Sequence, residues 1–75
     1  MKELLETIAK ALVLNPDDVS VSQEDKNGEI VLTLSVNEQD MGKVIGRSGR
    51  IAKAIRSVIS AAASKADVKV TVDIK

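Results

Sequence analysis

The chain has no cysteine, no histidine and no aromatic residue. Each absence closes a route. Without cysteine there is no disulfide, no thiolate to bind a metal and no thiolate nucleophile. That lack suits a reducing compartment. Without histidine or tyrosine, no serine or threonine has an evident base beside it, and the carboxylates are scattered along the chain. An enzyme reading therefore finds no constellation to rest on. No apolar run is long enough to span a membrane. The first residues, Met1 to Glu6, carry acids early and lack an uninterrupted apolar stretch, so they do not read as a secretory signal. These features lead to an expectation of a soluble, cytoplasmic protein.

What is present is short and balanced. Seventy-five residues make one domain, 1–75, with a thin core. The net charge is zero, yet it is unevenly spread. Residues 1–40 hold three lysines and nine acids, net −6. Residues 41–56 hold Lys43, Arg47, Arg50, Lys53 and Arg56 with no acid, net +5. A local basic block in a neutral chain is a modest electrostatic footprint for an anionic partner. It is too small for the many phosphate contacts of non-specific duplex DNA binding.

The periodicities give six elements. Leu4, Leu5, Ile8, Ala11 and Leu12 fall at helical spacing between Lys2 and Leu14. Asn15-Pro16 stops that helix, because the residue before proline is pushed out of the helical region. Two alternating stretches follow, the first around Val19, Val21 and Gln23, the second around Ile30, Leu32, Leu34 and Val36. Asn27-Gly28 between them is the strongest short hairpin signal. Asn37 can cap a short helix with Glu38 and Asp40 in its first turn. That helix runs through Val44-Ile45 and breaks at Gly46. A longer helix from about Gly49 to Lys65 shows an apolar stripe at Ile51, Ile55, Val58, Ala62 and Ala66. A last strand alternates at Val68, Val70, Val72 and Ile74. The expected class is α+β: helix-strand-strand-helix-helix-strand, a three-stranded mixed sheet covered by three helices on one face. The crossover through two helices predicts that its two strands are parallel.

The chemistry is concentrated in Gly46-Arg47-Ser48-Gly49, which must join two helices in four residues. Glycine at both ends permits backbone angles closed to other residues. It also lets another backbone approach. The following helix presents its unpaired N–H groups and its positive dipole end here, suited to a phosphate. Arg47 and Ser48 add a charge and a hydroxyl, and Lys43, Arg50 and Lys53 flank them. Val44 and Ile45 offer an apolar floor for bases. Because there are no aromatics, the stacking platforms of RRM and OB-type readers are excluded.

Val44-Ile45-Gly46-Arg47-Ser48-Gly49 resembles the KH-domain signature, an apolar pair followed by GxxG. The element order resembles the bacterial type II form. With Gly42-Lys43 before and Arg50 to Arg56 after, the chain is similar over its whole length to the small single-KH proteins of the KhpA/YlqC family. It departs from many KH domains at Ala52, where they carry a larger aliphatic residue. The resemblance implies single-stranded RNA binding, with the loop clamping about four nucleotides through Lys43, Val44, Ile45, Gly46, Arg47, Ser48, Gly49, Arg50 and Lys53. It also implies a homodimer or a pair with a larger KH-containing protein, a role as RNA chaperone or post-transcriptional regulator, and a link to cell elongation and division. It implies no cofactor and no metal.

Plainer readings stand beside these. A GxxG alone serves any tight helical turn. Arg56 falls on what reads as a solvated helix face. Ala52, Ile59 and Ala63 widen the apolar stripe of the long helix. That width reads either as peripheral core packing or as a helix-to-helix dimer seam of Ala52, Arg56, Ile59 and Ala63. A dimerisation module with secondary RNA binding is the alternative function. A helix-turn-helix DNA reader fits poorly, because the second helix has few basic residues on a face of mostly Ser and Ala.

Overall fold

The computed structural model describes all 75 residues. Helix α1 (Lys2–Leu12) is followed by a 3-10 turn at Pro16–Asp18, then strands β1 (Ser20–Lys26) and β2 (Glu29–Ser35). A second 3-10 turn (Glu38–Asp40) leads into α2 (Met41–Ile45). A third (Arg47–Gly49) joins it to α3 (Arg50–Lys65), and β3 (Lys69–Ile74) completes the fold. The sheet order is β1-β2-β3. β1 and β2 pair antiparallel from Ser20↔Ser35 to Lys26↔Glu29. β2 and β3 pair parallel from Glu29↔Lys69 to Leu34↔Ile74. This is the expected mixed sheet with three helices.

Local chemistry sets these boundaries. Asn27 and Gly28 both take positive φ, 50° and 81°, as the tight hairpin requires. Asn37 caps the second 3-10 turn by accepting from the Gln39 N–H at 2.8 Å. α3 ends in a Schellman pattern. Val68 N–H donates to the Ala63 carbonyl and Asp67 N–H to that of Ser64, with Asp67 itself at φ 58°.

One boundary moved. α1 ends at Leu12, short of the expected Leu14: the Val13 N–H still bonds to the Ala9 carbonyl, and Asp40 takes the amides of Leu14 and Asn15. Its carboxylate accepts from Leu14 N–H at 3.2 Å, from Asn15 N–H at 3.0 Å and from the Asn15 side-chain amide at 3.0 Å. Asp40 is fully buried. Burial pushes its pKa up. The bonds from the Asn15 side chain and the two backbone amides, with the Lys43 charge, outweigh that and hold it below the ordinary value. This carboxylate ties the end of α1 to the start of α2, directly ahead of the glycine loop.

The core comprises Leu5, Ala9, Val21, Leu32, Leu34, Val44, Ile55, Ile59 and Val72. Alternation along the strands sends their apolar set to the helices. The interior row of α3 is a correction. The stripe expected inside was Ile51, Ile55, Val58, Ala62 and Ala66, but the row that packs inward is Ala52, Ile55, Ile59 and Ala63. Ile59 is fully buried, Ala52 and Ala63 nearly so, and Val58 is 49% exposed. A dimer seam of Ala52, Ile59 and Ala63 is therefore overturned. Their small and branched side chains let α3 lie against the sheet, not against a second helix. Arg56, the fourth residue of that seam, points elsewhere: its Nε donates to the Val72 carbonyl at 3.2 Å.

Candidate functional site

Two glycines shape the loop between α2 and α3 in different ways. Gly46 sits at φ 75°, ψ 175°. A Cβ there would lie 2.4 Å from Ile51 Cγ1 and 3.0 Å from the Ile51 backbone nitrogen. So Gly46 is required by both conformation and space. Gly49 is left-handed at φ 74°, ψ 16°, and a Cβ there would meet nothing within 4 Å. Its bare backbone opens onto solvent. Between them Ser48 holds φ 56°, ψ 26°, a left-handed conformation that a serine adopts at some cost. Strain of this kind is found where a backbone must be shown in one geometry. The turn is closed by Gly46 N–H donating to the Gly42 carbonyl at 2.9 Å and Gly49 N–H to the Gly46 carbonyl at 3.2 Å.

The N-terminus of α3 opens directly from this loop, and no side chain caps it. Its first N–H, that of Arg50, donates to the Arg47 carbonyl, so what the helix presents to an anion here is the positive end of its dipole. Lys43, Arg47, Ser48, Arg50 and Lys53 are all exposed around it. None of the four cations is spent on a carboxylate: the ion pairs are Lys26–Glu24 and Lys69–Glu29, both away from the loop. Four of the five cations counted in the sequence are thus exposed and outside any ion pair, though the Lys43 charge also acts on Asp40.

The apolar floor is narrower than expected. Val44 is fully buried in the core and cannot meet a base. Ile45 is 37% exposed and takes that place alone. α2 has five residues, so only one of two adjacent side chains can face inward. Ile51 lies half-buried beneath Gly46.

Sequence reasoning missed a second surface. Leu4, Ile8 and Leu12 of α1 face Ile51, Ala54, Ile55 and Val58 of α3 across an entirely apolar open groove of about 400 Å³. The signal was there in part, since Leu4, Ile8 and Leu12 form a second row beside Leu5 and Ala9. No helix is long and apolar enough to cross a membrane.

The family model for the KH domain of KhpA and KhpB matches residues 2–74. The chain belongs to this KH-domain family. It is 60% identical to the RNA-binding protein KhpA of Clostridium acetobutylicum over 74 residues, 99% of each chain. It is 57% identical to the RNA-binding protein KhpA of Clostridium perfringens, again over 99% of each. The corresponding protein of Halalkalibacterium halodurans is 55% identical over 99% of this chain and 97% of its own length. Among solved structures, a crystal structure of Aquifex aeolicus Era superposes with a TM-score of 0.65 at 17% identity. That match covers 97% of this chain and 28% of the Era chain, and it establishes the fold alone.

Proposed function

We propose that this protein binds single-stranded RNA at the Gly46–Gly49 loop, holding the phosphate backbone of about four nucleotides against the N-terminus of α3. The observation that carries the reading is Gly49: a left-handed glycine with open space above it, the positive end of a helix without a side-chain cap behind it, and four exposed cations around it, none in an ion pair. Phosphate contacts fall to Lys43, Arg47, Ser48, Arg50 and Lys53. The Ile45 side chain offers an aliphatic seat for a base. The relatives' name as RNA-binding proteins supports the same conclusion. A grip of this kind, without a reaction to perform, suits an RNA chaperone or a post-transcriptional regulator.

The direct test is Gly49→Asp, read by fluorescence anisotropy on a short single-stranded RNA. Aspartate tolerates left-handed angles, so the fold survives. A carboxylate facing the phosphates weakens binding by about tenfold or more, roughly 1.4 kcal/mol. The salt dependence of the wild type is shallow, because few phosphates are touched. Unchanged affinity in the variant would sink the proposal.

Pairing with a second copy is a further part of the reading, now moved to a different surface. The groove between α1 and α3 leaves Leu4, Leu12 and Val58 substantially exposed. Two copies crossing on α3 would cover those side chains with the same residues of the partner, an isologous contact. The pairing leaves the basic loops free. It also joins two short grips, raising the effective concentration of the second.

A further inference from the structure

β1 forms the sheet edge opposite β3, and the RNA reading gives it no task. Its backbone is informative. β1 pairs with β2 residue for residue, without a bulge, from Ser20↔Ser35 to Lys26↔Glu29. In an antiparallel ladder, hydrogen-bonded and non-bonded pairs alternate. The two-residue turn Asn27-Gly28 is closed by a bond between its flanking residues, which makes Lys26↔Glu29 a bonded pair. Glu24, Ser22 and Ser20 share that phase. Val21, Gln23 and Asp25 therefore turn their N–H and C=O groups away from the sheet. None of the three takes part in a turn or loop backbone bond or in a side-chain hydrogen bond. Every residue of β1 except Val21 is exposed. Unmet donors and acceptors in regular register are a template for one more strand.

The charge around the edge restricts what that strand can be. Between Asn15 and Glu29 the chain holds Asp17, Asp18, Glu24, Asp25 and Glu29 against Lys26 alone, net −4. Asp17, Asp18, Glu24 and Asp25 are exposed and stand at the two ends of the strand. Lys26 is held by Glu24 at 3.4 Å. Two copies pairing edge to edge would set −4 against −4, and like charges across a strand pair are unfavourable. Charge of this kind guards an edge against its own copies. The same charge attracts a strand of opposite sign.

We propose that β1 is a docking edge for an extended basic segment of another protein, which joins the sheet as a fourth strand. Main-chain bonds to Val21, Gln23 and Asp25 give the grip, and lysine or arginine side chains of the segment meet the acids at the strand ends. The edge lies across the sheet from β3, so this proposal stands independently of the RNA site.

The test uses a short fluorescent peptide in which lysine alternates with threonine, and a copy whose backbone nitrogens are methylated. The copy keeps the charge and loses the donors. In anisotropy the unmodified peptide should bind about tenfold more tightly or better, as expected for the loss of several net hydrogen bonds. With the peptide bound, the amides of Val21, Gln23 and Asp25 should exchange with solvent about tenfold more slowly or less. Glu24→Gln with Asp25→Asn should weaken the peptide about threefold. Equal binding by the methylated copy would leave charge attraction alone and overturn the proposal. No binding, or binding that leaves those three amides at their free exchange rate, would do the same. Slower exchange on raising the protein concentration without peptide would give the edge to a second copy. Slower exchange on adding single-stranded RNA would give it to RNA. Either result overturns the assignment to a basic segment.

Discussion

The two sides of α3 share one helix and differ in nearly everything else. On one, Gly49, Lys53, Arg56 and Ser60 run beside the outer edge of β3, polar and charged. On the other, Ile51, Ala54 and Val58 look across an apolar groove to α1. The buried row of Ala52, Ile55, Ile59 and Ala63 lies between them. A helix that must pack on a sheet can bury only a limited arc, so both flanking arcs stay exposed. The polar flank continues into the glycine loop and so inherits the helix N-terminus. The apolar flank has no such chemistry and suits only another apolar surface. The contrast lets the proposed anion site and the proposed pairing surface share one helix of a chain with zero net charge without one obstructing the other.

The largest effect should come from confusing a flank with the core. Ile59→Arg places a charge in a fully buried position and is expected to cost about 4 kcal/mol or more, enough to unfold a domain of this size. Val58→Arg, one residue away but 49% exposed, should change stability by no more than about 0.5 kcal/mol. It should instead abolish pairing in sedimentation. A folded Ile59→Arg monomer would restore the discarded seam. A monomeric wild type, or a Val58→Arg variant that still pairs, would remove the role given to the groove.

The glycines offer a smaller contrast on the polar side. Gly46→Ala meets Ile51 at 2.4 Å and a positive φ together, and should cost about 2–4 kcal/mol in chemical denaturation. Gly49→Ala meets only the positive φ and should cost about 1–2 kcal/mol. Equal costs would mean that the approach of Ile51 to Gly46 does not constrain the loop.

The smallest effect is expected at Asp40, which anchors the frame behind both flanks. Its pKa is lower folded than its ordinary value of 3.8. The stability it contributes is therefore complete above that value and is lost as pH falls through the folded pKa. Melting temperature followed from pH 5 downward should fall less steeply in Asp40→Asn than in the wild type, with the variant already less stable at neutral pH. Parallel curves would place the acid sensitivity elsewhere.

How far the sequence alone reaches depends on the range of each signal. Asn27-Gly28 fixes a hairpin because its constraint is local. The alternation at Ile30, Leu32 and Leu34 marks one strand face in the same way, and the element order follows from such signals. The faces of α3 were not legible in that way. Val58 and Ile59 are neighbours of similar apolarity, about 100° apart on the helix, and only the sheet decides which one turns inward. Asp40 read locally as a first-turn acid, while its hydrogen-bond partners at Leu14 and Asn15 lie 26 and 25 residues away. The Arg56 bond to a strand carbonyl 16 residues on was hidden for the same reason. The loop was legible because glycine at Gly46 and Gly49 is a local requirement of backbone geometry. Which of Val44 and Ile45 faces solvent was not.

The division of α3 is most directly tested by titrating a short single-stranded RNA into the isotopically labelled protein and following the backbone amide signals. The account predicts shifts at Gly46, Ser48, Gly49, Lys53 and along Val70 to Ile74, with Leu4, Ile8 and Val58 unmoved. Shifts concentrated on Leu4, Ile8 and Val58, with the glycine loop silent, would contradict it.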